Sequence, residues 1–351
     1  MTRSLSGAAV LFSLLTISVR ADEADDYVRA QMDTHRIPGL ALRVISNGKE
    51  VKAASYGLAN VELNVPVKTE TVFEIGSLTK QFTAACILLL QQDGKLSVDD
   101  KISKHLRDTP ATWSSITVRH LLTHTSGIRN YTGHDGFELT KRLTQAQFVQ
   151  AIAALPADFA PGEQAKYCNS GYNLLGFIIE NVSGKTYWSF LSERIFTPLG
   201  MSSATNRDPI IIVPHRADGY IRTNGMLRNR DSDLTDVFSA GAIVSNIGDL
   251  VKWNASLETE KLLNATSKSQ LWTPANLNNG RETPYGFGWR IGTHEGHRNI
   301  GHSGSTSGFS ASLQRFPDDR LTVIVLCNSD ESNIATTIAK RIATFYFVEN
   351  K

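Results

Sequence analysis

Cysteine is scarce in this chain, with three residues in 351, too few for the disulfide frame of a small extracellular fold. Net charge is nearly absent as well. Thirty-six Lys+Arg stand against 34 Asp+Glu, a formal +2. Both excess cations, Arg3 and Arg20, fall in the first 21 residues, which hold no acidic side chain. The remaining 330 residues carry 34 charges of each sign. A neutral body of this size has no general attraction for nucleic acid or for an anionic membrane. Long apolar runs are missing too, since none reaches the ~20 residues that cross hydrocarbon. The Gly-x-Ser-x-Gly elbow of an α/β-hydrolase does not occur, nor does the His-Glu-x-x-His pattern of a zinc peptidase. His294-Glu295-Gly296-His297 has different spacing and reads as a polar turn between strands. No cofactor and no metal is implied.

What the N-terminus does contain is ordered. Arg3 precedes an apolar run from Gly7 to Val19, then comes the small-residue site Val19-Arg20-Ala21, then the acidic Asp22-Glu23-Ala24-Asp25-Asp26. That order reads as a secretory signal cleaved after Ala21. Residues 1–21 are then the signal and 22–351 the mature domain, secreted or periplasmic, with no stable membrane anchor. Cys86, Cys168 and Cys327 read as buried thiols acting as small hydrophobes.

Residues 24–36 pattern as a helix that stops before Pro38. Two apolar stretches around Asn47-Gly48 read as a β-hairpin, because that pair tolerates the positive φ angles of a tight hairpin turn. From Ser77 to Gln92 the chain is apolar on nearly every side, which marks a buried helix, and Gly94 supplies its stop. Short helical patterns alternate with Pro/Gly loops from about 97 to 275. Strand signals return at 288–292, 310–316 and 321–327, before a last helix over about 332–347. Strands at both ends with helices between them imply an α+β fold: a sheet layer from about 22–76 and 280–351, and a mainly helical region at about 77–279.

Three segments carry chemistry. In Glu74-Ile75-Gly76-Ser77-Leu78-Thr79-Lys80, a serine opens the buried helix and a lysine falls one turn later on the same face. Desolvation there disfavours the ammonium and makes Lys80 a proton acceptor. In Pro161-Gly162-Glu163-Gln164-Ala165-Lys166-Tyr167-Cys168-Asn169, a loop presents Tyr167 and Asn169. A phenol near an ammonium is pushed towards phenolate and relays a proton. Gly301-His302-Ser303-Gly304-Ser305 lies just before the strand at 310, and reads either as a strand edge that takes a substrate backbone or as a Gly/Ser turn. Asn130-Tyr131-Thr132 and three other Asn-x-Ser/Thr triplets match the glycosylation pattern at a number near chance.

In this order, Ser-x-x-Lys, Tyr-x-Asn and His-x-Gly, the chain resembles the serine β-lactamase and penicillin-binding-protein superfamily. The resemblance is nearest to its class C-like hydrolases, esterases and D-amino-acid peptidases. Flanking stretches resemble that family too: His120 to Ile128, Pro198-Leu199-Gly200-Met201, Ala240 to Ser245, and Tyr285-Gly286-Phe287-Gly288-Trp289. The resemblance implies an antiparallel sheet flanked by helices and an acyl-enzyme mechanism. It assigns Ser77 as nucleophile, Lys80 as base and Tyr167 as proton relay. Asn169, His302, Gly304 and Ser305 would bind substrate, with the Ser77 and Ser305 amides forming an oxyanion hole. His302 stands where efficient β-lactamases carry Lys. A mostly neutral imidazole holds an anion less firmly, which shifts the expectation towards an esterase or peptidase, ahead of a β-lactamase or a penicillin receptor. The expected partner is a small ester, peptide or β-lactam, selected through Lys80 and His302.

Overall fold

The computed structural model describes residues 23–133, 142–230, 233–331 and 333–347, so the proposed signal at 1–21 lies outside the described residues. Helix α1 (23–35) leads into strands β1 (Gly39–Ser46) and β2 (Lys49–Asn60), then the short β3 (Val65–Pro66) and β4 (Val72–Glu74). The β1–β2 turn is the expected one, with Asn47 at φ 51° and Gly48 at φ 74°, the doubly left-handed geometry of a two-residue hairpin.

Helices α2 (Thr79–Gln92), α3 (Val118–Leu122), α4 (Gln145–Ala153), α5 (Asn169–Ser183), α6 (Tyr187–Leu191) and α7 (Thr197–Leu199) follow. Strands β5 (Thr205–Asn206), β6 (Tyr220–Thr223) and β7 (Met226–Asn229) come next, then α8 (Phe238–Gly241), β8 (Ile243–Asn246), α9 (Ile247–Leu257) and α10 (Ala265–Leu271). The pairs β9 (Ala275–Asn276) with β10 (Glu282–Thr283), and β11 (Arg290–His294) with β12 (His297–Thr306), precede β13 (Phe309–Phe316), β14 (Leu321–Cys327) and α11 (Ile334–Thr344).

Seven strands form one antiparallel sheet in the order β11-β12-β13-β14-β1-β2-β3. The two ends of the chain meet at its centre, where Leu42 pairs with Val325. The fold is therefore α+β, with helices on both faces. Leu40, Leu42 and Val44 point one way with Val323 and Val325, and pack under Ile334, Ile338 and Ile342 of α11. Ala41, Ile324 and Leu326 point the other way into the helical region. Burial on both faces is why β14 reads as a nearly continuous apolar run.

The middle of the chain holds more strand than its sequence pattern indicates. A three-stranded sheet β4-β8-β5 and the hairpin β6–β7 sit within it. The segment 297–306 is also strand throughout, although its run of Gly and Ser has low strand propensity. Its ladder to β13, from Ile300↔Arg315 to Thr306↔Phe309, overrides that propensity.

Helix α2 is the axis of the molecule. Every residue from Thr79 to Leu90 is buried, and each fully buried leucine there contributes about 1.5–3 kcal/mol. Cys86, Cys168 and Cys327 are buried free thiols, as expected.

Candidate active site

β4 delivers the chain to a 3-10 turn, Gly76–Leu78, from which α2 starts. Gly76 has φ +50°, and a Cβ there would stand 2.7 Å from the Ser305 amide nitrogen. A Cβ on Gly304 would stand 1.9 Å from the Ile75 carbonyl oxygen and 3.1 Å from the Ser77 nitrogen. Only glycine fits at either position, and there the two segments meet main chain to main chain. This contact brings the amides of Ser77 and Ser305 to one place. Beneath it, the buried Glu74 carboxylate accepts from Thr306 Oγ1 (2.6 Å) and Arg207 Nε (3.2 Å), tying the nucleophile turn to β12. Burial lifts the Glu74 carboxyl to about 7 against the pull of Thr306 and Arg207.

Strand β12 outruns its neighbour. Its pairing with β11 ends at Arg290↔Gly301, so on that side residues 302–306 have no strand partner among the described residues. An extended substrate can add itself to such an edge.

Ser77 is half-buried and Lys80 fully buried. Lys80 Nζ lies 3.0 Å from Ser77 Oγ, 2.7 Å from Asn169 Oδ1 and 2.7 Å from the Ala240 carbonyl oxygen. Burial pushes Lys80 well below the usual lysine range, helped by the nearby Arg290 charge. Burial thus favours the neutral amine, which has two protons. Asn169 Oδ1 and Ala240 O can only accept, so they take both, and the lone pair faces the Ser77 hydroxyl. That is the geometry of a general base. Asn169 is itself fixed, since its Nδ2 donates to Thr132 Oγ1 (3.0 Å) and its backbone N–H to Asn130 Oδ1 (2.8 Å).

The Tyr167 ring centroid is 4.7 Å from Lys80 Nζ. Its buried hydroxyl closes no hydrogen bond of ordinary geometry among the described residues, though Ser77 lies near enough to favour ionisation slightly. Burial dominates and raises the phenol above the ordinary tyrosine value. Burial therefore weighs against the phenolate expected from the sequence, although Arg290 lies near enough to favour it. The buried phenol is thus favoured in its protonated form.

His302 also differs from the expectation. Its Nδ1 donates to the Ser303 carbonyl oxygen (2.6 Å), which leaves Nε2 to accept from the Tyr285 hydroxyl (2.9 Å). Burial depresses it to about 3. Both nitrogens are engaged within the protein, so the ring anchors Tyr285 and presents no donor to a ligand. The cation of the site is Arg290, which sequence reasoning missed. Its exposed guanidinium lies 5.7 Å from the Tyr167 ring centroid and 6.0 Å from that of Tyr285, and no carboxylate pairs with it among the described residues. Asn130, Thr132 and the Ala240 carbonyl were missed as well. Asn130 stood in plain view as a glycosylation triplet, while Ala240 and Tyr285 lay within stretches noted only for resemblance.

His297 pairs with Asp319 and stacks on Phe347 at 3.8 Å, as befits a turn residue. Among the described residues no cluster of His, Cys, Asp or Glu is placed to hold a metal ion, and no helix is long and apolar enough to cross a membrane.

Comparison with known proteins agrees with this geometry. Residues 24–344 match the Beta-lactamase family. The chain is 32% identical over 322 residues to penicillin-binding protein 4* of Bacillus subtilis (strain 168), across 85% of this chain and 70% of that protein. It spans between 62% and 70% of the length of the curated relatives it matches. The octameric penicillin-binding protein homologue from Pyrococcus abyssi superposes with a TM-score of 0.80 at 28% identity, covering 92% of this chain and 76% of that one. A D-stereospecific amidohydrolase from Streptomyces sp. gives 0.73 at 25% identity, covering 86% and 94%. A match over nearly all the described residues leaves one assignment: the chain belongs to the Beta-lactamase family and is a serine hydrolase of the β-lactamase and penicillin-binding-protein superfamily.

Proposed function

We propose that the protein is an exported hydrolase that cleaves an ester or amide of a D-amino acid through an acyl-enzyme on Ser77. The observation that carries this reading is the setting of Lys80 Nζ, whose two acceptors at 2.7 Å leave its lone pair for Ser77 at 3.0 Å. In acylation, Ser77 Oγ attacks the substrate carbonyl carbon while its proton passes to Lys80. The carbonyl oxygen becomes an oxyanion between the amides of Ser77 and Ser305, where one such donor is worth ~3 kcal/mol. Tyr167 gives its proton to the departing amine or alcohol as the C–N or C–O bond breaks, and Lys80 reprotonates the phenol. Water then attacks the acyl carbon, passing a proton through Lys80 to the departing Ser77 oxygen.

Three features support the substrate class: the open edge of β12, the unpaired Arg290 cation, and a structural neighbour that is a D-stereospecific amidohydrolase. Arg290 adds a refinement, since a guanidinium at the rim favours a substrate with a free carboxylate. Export rests on the signal pattern of residues 1–21, and a secreted form beginning at Asp22 is its test.

One experiment separates the readings. Purified mature protein is incubated with a fluorophosphonate, a penicillin and a panel of D- and L-amino-acid esters and amides, and adduct mass is followed with time. Turnover of the D-substrates with no lasting penicillin adduct is the expected result. A persistent penicillin adduct would mark a receptor, and rapid nitrocefin hydrolysis a β-lactamase. Labelling that survives Ser77→Ala would overturn the nucleophile.

A further inference from the structure

The turn that follows α3 carries a histidine that the mechanism above does not use. His124 is buried and has φ +60°, a left-handed backbone uncommon outside glycine. Its contacts converge on one neighbour. The His124 carbonyl oxygen accepts from the Lys166 N–H at 3.0 Å, and His124 Nδ1 accepts from the Cys168 N–H at 3.2 Å. The residue between those two amides is Tyr167. The His124 ring itself lies against the Tyr167 ring, with centroids 4.4 Å apart.

Accepting at Nδ1 fixes the tautomer. The neutral imidazole carries its proton on Nε2, and that nitrogen is buried with no hydrogen-bond partner among the described residues. Tyr285 and Tyr172 flank the ring at 4.6 and 5.1 Å. Burial keeps His124 far below the usual histidine range. A phenylalanine would pack against Tyr167 without stranding a buried N–H, which is unfavourable. Histidine supplies what phenylalanine cannot, an acceptor for the Cys168 amide on the same ring that buttresses the phenol.

We propose that His124 is the positioning residue for proton transfer by Tyr167, gripping the tyrosine through both flanking amides and through its ring. The inference rests on the reading of Tyr167 as proton donor to the leaving group. It bears on one step only. An amide nitrogen must be protonated to depart, whereas p-nitrophenolate leaves unaided, so a displaced phenol impairs amide cleavage far more than p-nitrophenyl ester cleavage.

The test compares a D-amino-acid amide with the p-nitrophenyl ester of the same acid in five variants. His124→Phe keeps a ring and loses the acceptor, and is expected to lower kcat on the amide by roughly 10²-fold. KM should be unchanged, and the ester should fall less than about threefold. His124→Asn places an oxygen near the position of Nδ1 and should recover about tenfold over His124→Phe. His124→Gln places its acceptor further out and should not recover. The His124→Phe/Tyr167→Phe double variant should be no slower on the amide than Tyr167→Phe alone. Equal losses on amide and ester, or additive losses in the double variant, would overturn the proposal while leaving the tyrosine relay standing. Full amide turnover in Tyr167→Phe would overturn both. If His124→Phe does not fold, the Asn-against-Gln contrast decides the matter alone: equal rates would sink the role of the acceptor.

Discussion

The two faces of the central sheet differ in what they bury beside their apolar side chains. On one, β1 and β14 meet α1 and α11 through Leu40, Leu42, Val44, Val323, Val325, Ile338 and Ile342, and ionic contacts such as Lys52–Asp25 (2.7 Å) sit at the rim. On the other, the helical region buries Lys80, Glu74, Arg207, His124 and His302 within a few elements of one another. Apolar burial stabilises wherever it occurs, whereas a buried ionisable group costs free energy unless its partners are in place. Apolar burial thus stabilises both faces, and only the second also encloses the Ser77–Lys80 cluster. Chemistry sits where the fold is least comfortable.

Lys80→Met tests that division most severely. It should lower kcat/KM by roughly 10³-fold or more while leaving the thermal midpoint unchanged or higher, because an amine no longer has to be kept out of water. The wild-type pH profile carries the same signature. Lys80 is depressed by burial, so it is protonated, and useless as a base, only as pH falls through its lowered value. The acid limb of kcat/KM should therefore lie well below 10.5, and should vanish from the residual activity of Lys80→Met. A midpoint that falls along with activity would erase the contrast between the faces.

Gly304→Ala comes next. The new methyl would meet the Ile75 carbonyl and part the oxyanion amides, with an expected loss of about 10² in kcat/KM. Arg290→Gln should raise KM about tenfold for a substrate with a free carboxylate and leave a neutral ester untouched. Equal effects on both substrates would remove Arg290 from recognition. Ile338→Ala, on the apolar face, should cost about 2–5 kcal/mol in denaturant unfolding with no change in kcat. An activity loss there at temperatures where the variant is folded would show that the faces are coupled.

Local patterns announced much of this molecule. Asn47-Gly48 marked its hairpin, the unbroken apolar run after Ser77 marked α2, and the spacing of Ser77 and Lys80 put both groups on one helical turn. The unread parts depend on distance in the chain. β12 reads equally as strand edge or turn because Gly and Ser have no intrinsic preference for strand, and only its ladder to β13 decides between them. The phenolate reading of Tyr167 took account of a neighbouring ammonium and not of burial, which raises the phenol and lowers Lys80 alike. Arg290 reaches Tyr167 from a sheet edge more than a hundred residues away, and His124 meets Cys168 across 44. No local periodicity encodes such meetings.

The seam where Gly304 meets Ile75 and Gly76 meets Ser305 has one more consequence. A contact made of main chain has no rotamers, so the donors it creates are the same whatever side chains surround them. The loops that line the rest of the pocket are free to drift in sequence without retuning the oxyanion hole. A seam of two glycines is in that sense a fixed die, around which new specificities can be cast.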